Sequence, residues 1–555
     1  MHDSYATHEV FNQSPAFEDV NLFNSDRALI EAVQREGGGQ AAKRLAAFGT
    51  ACGSAAAFHN GRLANEHPPR FKPFDSKGRR LDMVEFHPAY HACMELSIKE
   101  GLHCSAWDHL AKSGAKPAPG ANVARSAGTY MAIQMEAGHQ CPITMTNAAV
   151  PTLLLEPALA KWWVPKILSR DYDKDFKPAE GKRGVTVGMG MTEKQGGTDV
   201  RANTTKAEPV GGGGPGGEYL ITGHKWFMSA PMCDAFLVLA QAPGGISCFL
   251  MPRFLPDGSV NALAFQRLKE KLGNRSNASS EVEFQAAHAW LVGEEGRGVA
   301  TIIEMVTCTR LDCAVGSAGL MRLALANAVH HCRHRTVFQK HLVDQPLMSQ
   351  VLADLALDVE AATALSFRLA RSFDRASDPH AAAWRRMMTP VTKYWVCKMG
   401  PAFAYEAMEC LGGNGYVEEG LAARLYRELP LNAIWEGSGN VMALDLLRVL
   451  QREPETVEIV MEDLASVVAD DAHLKAHMAR VNAMLQEPRL LDRRGRDLAE
   501  SLALLAAGTI LRAHAPTPVA DAFIATRIGG VARQTYGQGL DWADTRAIVD
   551  RAFPG

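Results

Sequence analysis

Helical texture runs through this 555-residue chain except over one stretch, roughly 183–292, where short apolar runs are split by glycine-rich turns. That interruption constrains the fold more than any other feature, because apolar periods of 3.6 and 2 bury different faces and do not interchange. Glu218–Thr222, Ala235–Ala240, Ile246–Met251 and Glu281–Phe284 read as strands. Gly211-Gly212-Gly213-Gly214-Pro215-Gly216-Gly217, Pro243-Gly244-Gly245 and Pro256-Asp257-Gly258 read as the turns of the same β-domain.

Upstream, Asp26 is placed to cap a helix that stops at Gly37-Gly38-Gly39, and apolar residues recur at three and four over Leu81–Lys99 and Val123–Glu136. Downstream, helical periodicity holds over Val299–Phe338, Pro346–Phe373 and Trp384–Leu411, lengths that suit an antiparallel bundle. The region Glu455–Gly555 is helical again, with breaks expected at Pro488 and at Pro516-Thr517-Pro518. A chain of this length exceeds one core. Four domains are expected: helical 1–182, β 183–292, a helical bundle 293–452 and an appended helical domain 453–555.

Hydrophobic residues make up 47% and charged residues 21%, which argues against disorder. A formal charge of -3 gives no global pull towards polyanions, so any nucleic-acid role must rest on a local patch. The eleven cysteines are dispersed without a C-x-x-C pair, which fits a reducing compartment. Met1–His8 shows no charged-then-apolar leader and no apolar run reaches membrane-spanning length. A soluble, cytoplasmic protein with no membrane partner is expected. His330, His331, Cys332 and His334 form a ligand-rich run, but no matching Cys/His pair is near to complete four zinc ligands, and no metal is assigned.

Three stretches carry chemistry. Ile434-Trp435-Glu436-Gly437-Ser438-Gly439-Asn440 puts one carboxylate on a glycine-flanked turn, downstream of Leu411-Gly412-Gly413-Asn414-Gly415-Tyr416. Glycine leaves that carboxylate little steric cover, and partial burial tunes a Glu towards the neutral range that proton abstraction requires. Met189-Gly190-Met191-Thr192-Glu193-Lys194-Gln195-Gly196-Gly197-Thr198-Asp199 offers small residues and donors. In Lys225-Trp226-Phe227-Met228-Ser229, strand alternation puts Trp226 and Met228 on one face and Phe227 and Ser229 on the other.

Together, in this order, the three stretches resemble the acyl-CoA dehydrogenase family. The resemblance implies an α+β multidomain fold: an α-helical N-terminal domain, a middle β-barrel and a C-terminal four-helix bundle, here with an extra helical domain. It implies FAD. Met191, Thr192 and Thr198 would line the flavin, with Trp226, Phe227, Met228 and Ser229 beside it. Phe227 stands for the usual tryptophan and Ser229 for a threonine. Gly412, Gly413, Ile434, Trp435, Gly437, Ser438 and Asn440 would complete the site. Arg335, Phe338 and Gln345 match a segment that reaches the FAD of a neighbouring subunit, which requires an oligomer; Gln339 replaces the family's glycine there. Glu436 would be the catalytic base. Some relatives carry their base just before an arginine in the first bundle helix; here that position is Thr309, before Arg310, and Arg310 is expected near the Glu436 carboxylate, favouring its charged form.

Val10-Phe11-Asn12-Gln13, Gly61-Arg62-Leu63-Ala64-Asn65, Gly78-Arg79-Arg80-Leu81-Asp82, Phe86-His87-Pro88 and Cys141-Pro142-Ile143-Thr144-Met145-Thr146 resemble an alkylation-response branch of that family. That branch implies a homotetramer associated with double-stranded DNA, protecting it against alkylating small molecules, with at most weak activity of the isovaleryl-CoA type. From Gln451 onward twelve basic residues face fifteen acidic ones, yet eleven of the twelve are arginine. Arg489, Arg493, Arg494 and Arg496 cluster near Pro488, and Arg448 follows the Glu436 turn, where forked guanidiniums can hold phosphates. The plainer reading is a solvated face paired through Asp492 and Asp497. Two alternatives stay open: a metabolic dehydrogenase of short or branched acyl-CoA, and a DNA-binding protein whose flavin is structural.

Overall fold

Asp26 caps α1 (Arg27–Arg35) by accepting from the Leu29 amide at 3.0 Å, and the same carboxylate takes the Tyr130 hydroxyl at 3.0 Å and Arg322 at 3.1 Å. The first helix is thereby tied to two later ones. The computed structural model describes residues 7–112, 114–468, 471–530, 535–536, 538, 540 and 542–553; residues 1–6, the start of the stretch expected to carry no leader, lie outside them. Helices α2 (Ala42–Cys52), α3 (Ala55–Glu66), α4 (Pro88–Glu100), α5 (Ala121–Met135), α6 (Gln140–Leu153) and α7 (Pro157–Ile167) complete the N-terminal portion.

One expectation there changes. Leu81–Lys99 is not one helix: β1 (Arg70–Phe74) pairs antiparallel with β2 (Arg80–Glu85), and α4 begins only at Pro88. The cause is local. Asp75 accepts the Lys77 and Arg79 amides to close a hairpin turn at Gly78, while Pro88, which a helix tolerates at its first position, is capped by His87.

The middle of the chain closes into a barrel. Strands β4 (Lys206–Pro209), β5 (Glu218–Ser229), β9 (Ser279–Val292), β7 (Gly245–Pro252) and β6 (Ala235–Ala242) pair in that cyclic order, since β6 also pairs with β4. β3 (Val187–Gly190) adds to β6 and β8 (Leu263–Leu268) to β9. A closed ring leaves no unpaired edge within it and encloses an apolar core that includes Phe236, Phe249 and Phe284.

Three long helices follow: α8 (Gly298–His334), α9 (Pro346–Asp374) and α10 (Pro379–Glu409), then α11 (Gly413–Tyr416), α12 (Leu421–Asn432) and α13 (Gly439–Arg452). Helix α8 stops before Phe338 because Thr336–Val337 (β10) folds back on Lys340–His341 (β11). Between α5 and α8, the buried Arg125 grips Asp312 through two bonds of 2.7 Å, and Thr144 of α6 donates to the same carboxylate at 2.9 Å. This bidentate pair fixes the register of α8, and with it Thr309 and Arg310, against the N-terminal helices.

Helices α14 (Pro454–Val468), α15 (Ala472–Leu485), α16 (Pro488–His514), α17 (Thr517–Phe523) and α18 (Thr545–Ala552) complete the chain, with prolines opening α16 and preceding α17. Helix α16 lies against α9, α10 and α13, so one apolar core runs from the bundle into these helices. Among the described residues no helix is long and apolar enough to cross a membrane.

Candidate active site

Glu436 stands on the turn between α12 and α13 with φ +58°, in the left-handed region that a residue with a side chain enters at a cost of about 1 kcal/mol or more. Gly437 follows at φ +106°, where an added Cβ would lie 2.6 Å from the Met442 side chain. Two buried cations hold the turn. Arg310 Nε donates to the Glu436 carbonyl at 3.0 Å, and Lys393 Nζ donates to the carbonyls on either side, Trp435 at 2.8 Å and Gly437. Arg310 is itself held by Asp445 of α13 at 2.7 Å.

The Glu436 carboxylate accepts one proton donor, the Thr309 hydroxyl, at 2.6 Å. Burial pushes its pKa above the ordinary carboxylate range, while the Thr309 hydrogen bond and the charges of Arg310 and Lys393 pull it back. Glu436 is half-buried rather than sealed, so a raised pKa and access coexist. A raised pKa combined with access is what a proton-abstracting carboxylate requires.

The barrel brings the second and third stretches together. Trp226 N donates to Thr192 O at 2.8 Å, and the buried Lys225 bridges Glu193 at 2.8 Å and Leu239 O at 2.8 Å. Burial raises Glu193, but Lys225 and the Thr204 and Thr205 donors outweigh it and hold the carboxyl down to about 2. The loop that carries Met191 and Thr192 is thus pinned to β5. Met228 is buried in the barrel, Ser229 is half-buried and bonded to Ser279 at 3.1 Å, and Phe227 is left 50% exposed. Trp226 is half-buried under Lys269, whose Nζ lies 3.2 Å from its ring centroid. Thr198 lies on the exposed bend just beyond the loop.

Cys141, at the start of α6, links this face to the base: its thiol, pushed up to about 12 by burial, sits against Ser229 and in the field of the Glu436 carboxylate. Trp435 packs on the barrel core and donates to Asn432 at 2.8 Å. Ile434, Ser438 and Asn440 are exposed around the turn, and Ser438 leaves its hydroxyl free of the α13 cap. Gly412 and Gly413 face open space within 4 Å of their missing Cβ positions. These two glycines belong to the loop beyond α10, whose Asn414 bonds to Gln13 at 3.4 Å, and are not beside the Glu436 turn; the exposed aromatic and hydroxyls on the barrel face and the Glu436 turn fit a planar cofactor.

Arg335, Phe338 and Gln345 lie apart from this face on the β10–β11 hairpin. Phe338 and Gln339 form its two-residue turn, both left-handed at φ +50° and +66°, with Phe338 90% exposed. Gln345 donates to Val337 O at 2.8 Å, and Asn12 clamps the hairpin by accepting from Thr336 N at 2.7 Å and from Arg335 at 2.6 Å. In the same region His330 donates to Pro15 O at 2.9 Å and His331 shares a bond with Ser14. Among the described residues no group of three His, Cys, Asp or Glu is arranged to hold a metal.

Arg448 on α13 and Arg489, Arg493, Arg494 and Arg496 on α16 all reach the surface. Gly495 lets α16 approach Leu447 closely, so the two helices carry these arginines on touching elements. Arg494 pairs with Glu487 at 2.8 Å, Arg448 with Asp445 at 3.4 Å, and Arg496 donates to Tyr394 at 3.1 Å.

Sequence reasoning did not single out Lys393 or Asp445. Neither belongs to a short motif, and only the packing of α10 and α13 beneath the turn reveals them.

Family models match the chain in order: the adaptive response protein AidB N-terminal domain over residues 12–174, the acyl-CoA dehydrogenase middle domain over 188–287 and the acyl-CoA dehydrogenase C-terminal domain over 296–451. AidB of Escherichia coli (strain K12) is 48% identical over 520 residues, covering 94% of each chain. A Caenorhabditis elegans protein crystallised with C11-CoA superposes with a TM-score of 0.84 at 27% identity, covering 100% of this chain and 99% of its own. An acyl-CoA dehydrogenase from Bacillus anthracis, complexed with FAD, shares the fold at TM-score 0.63 and 16% identity over 84% of this chain and 85% of its own. Identity of that depth along nearly the whole length, with all three domain models in sequence, means that the chain belongs to the acyl-CoA dehydrogenase family, close to AidB within it, and is an FAD-dependent oxidoreductase.

Proposed function

We propose that Glu436 is the base of an acyl-CoA dehydrogenase of the AidB type, removing the proton alpha to a thioester of short or branched chain. The observation that carries this reading is the half-buried Glu436 carboxylate on its glycine-flanked turn, raised in pKa by burial and accepting the Thr309 hydroxyl at 2.6 Å. FAD supplies the acceptor for the beta hydride. Thr192, Thr198, Ser229, Ser438 and the backbone at Gly412 and Gly413 would hold it, with Phe227 against the ring and Met191, Trp226, Met228, Ile434, Trp435, Gly437 and Asn440 around it. The pairing of a positioned base with an acceptor on the opposite face of the substrate is what concerted loss of proton and hydride requires. Anaerobic titration with a panel of acyl-CoA thioesters tests it: bleaching by a short or branched thioester, absent in Glu436→Gln, supports the reading. No bleaching by any thioester overturns it.

The assembly proposed is a cytoplasmic homotetramer. Phe338, largely exposed at the tip of a hairpin clamped by Asn12 and Gln345, would reach the cofactor of a neighbouring subunit together with Arg335. Cytoplasmic placement is supported by eleven unpaired cysteines, ten of them buried.

A second reading concerns DNA. Five exposed arginines on the touching helices α13 and α16 favour contact with phosphates of double-stranded DNA, in keeping with a role in protection against alkylation.

A further inference from the structure

The geometry points to Lys393 as the positioning residue that holds the Glu436 base in its working conformation. The inference rests on the assignment of Glu436 as base and deepens it. Lys393 lies in the middle of α10 and is 1% exposed. A lysine is retained at such depth only where acceptors replace water. Here they are backbone carbonyls, Trp435 O at 2.8 Å and Gly437 O, which flank the base in sequence.

Glu436, between the two carbonyls, is left-handed at φ +58°. A rearrangement of the turn that moved either oxygen away would cost Lys393 a partner it cannot replace at this depth. Arg310 binds the intervening carbonyl from α8, so three consecutive oxygens are held from two helices. The strain of the left-handed residue is thereby overdetermined by charge-assisted bonds. Arg310 is anchored by Asp445, whereas Lys393 has only the turn itself among its recorded bonds, so the turn and Lys393 depend on each other.

Lys393 has a second effect. Charged or titratable groups acting on the Glu436 carboxylate are Arg310 and Cys313 on α8, Lys393 on α10 and Cys141 on α6, together with the Thr309 hydroxyl. Of the cations, Lys393 alone contacts both neighbours of the base without touching the base residue's own carbonyl. Removing its charge therefore both frees the turn and withdraws a cation that favours the carboxylate form.

The test uses the full-length FAD-loaded protein, with Lys393→Met to remove charge and donors, Lys393→Gln to remove the charge but keep an amide donor group, and Lys393→Arg to keep the charge. Amide hydrogen exchange over residues 434–440 reads the tether without any reaction. The expected result is exchange faster by roughly tenfold or more in Lys393→Met, with α9 unchanged and Lys393→Arg partly restored. Flavin bleaching by the most effective acyl-CoA should slow in the same order, with its pH profile displaced to higher pH and the half-saturating concentration nearly constant. Unchanged exchange in Lys393→Met overturns the proposal. So does a wild-type 434–440 segment that exchanges like an open loop, which needs no variant to fold. If no thioester bleaches the wild-type flavin, the base assignment fails, and the exchange result still decides the tether.

Discussion

Thr309 donates its hydroxyl to the Glu436 carboxylate across 2.6 Å, joining the first bundle helix to the base turn. The bond favours the charged form and so opposes the upward push of burial. Thr309→Val, which keeps the shape and loses the donor, is expected to raise the apparent pKa of the base by about one unit and to slow flavin bleaching roughly tenfold below that pKa. At high pH, where the carboxylate is ionised in either protein, the two rates converge. Stopped-flow bleaching from pH 5.5 to 9 checks this; an unmoved profile denies the hydroxyl its role.

Glu428 gives the fold a pH dependence of its own. Burial, then the nearby Glu136 carboxylate, pushes its pKa up to about 7, against which the Asn274 amide donates at 2.9 Å. A folded-state pKa above the unfolded one means that the native chain holds the proton more tightly, so stability is full below the unfolded value near 4.5 and is lost as pH rises towards about 7. The loss is about 3 kcal/mol. Glu428→Gln, whose carbonyl can still accept from Asn274, should remove that slope. Urea unfolding at pH 5 and pH 8 should find the variant more stable than the parent at pH 8 by that order, and no more stable at pH 5.

Much of the fold was legible because its signals are local. Asp26 sits before an apolar run whose Leu29, Ala32 and Val33 are buried, so cap and period agree. The long bundle helices repeat their period often enough to outweigh Pro390 and Pro401 inside α10. Strands β3, β4 and β8 were not legible: at four to six residues each, they are defined by their barrel neighbours rather than by a pattern of their own. The site divides the same way. Glu436 and the glycines around it announce themselves in one heptapeptide, whereas Lys393, 43 positions upstream by the numbering, is an ordinary helix lysine until α10 is laid beneath the turn. Long-range acceptors are invisible to periodicity.

At the hairpin tip the sequence departs from the family's glycine, and the backbone registers the departure: Gln339 holds φ +66° with Phe338 beside it at +50°. A two-residue turn with both φ values positive favours glycine at its second position. Gln339→Gly is expected to stabilise the folded protein by about 0.5–1 kcal/mol, less the extra freedom it gives the unfolded chain. A small rise in Tm with slower amide exchange over 335–342 is the outcome to look for; a fall would mean that the Gln339 side chain makes an interaction the monomer does not contain.

The arginine face is tested by salt. Arg489 and Arg493 are exposed, and no salt bridge is among the described interactions of either, while Arg494 is paired with Glu487 and Arg448 with Asp445. Arg494 loses little by exchanging the exposed Glu487 for a phosphate, because surface pairs contribute about 1 kcal/mol or less, and the exposed Arg448 can leave the buried Asp445, 3.4 Å away, because Arg310 and Arg386 also hold that carboxylate. Phosphate contact releases counterions, so affinity for a random double-stranded oligonucleotide should fall linearly on a log–log plot against salt, and each lost contact should flatten the slope by about one. Arg493→Ala with Arg489→Ala should therefore flatten it by about two, and adding Arg448→Ala by one more. Arg496, bonded to Tyr394 beneath the helix, should change it least. Binding whose slope is the same in all these variants would put the DNA contact elsewhere on the molecule, and binding indifferent to salt would remove phosphate recognition from this face altogether.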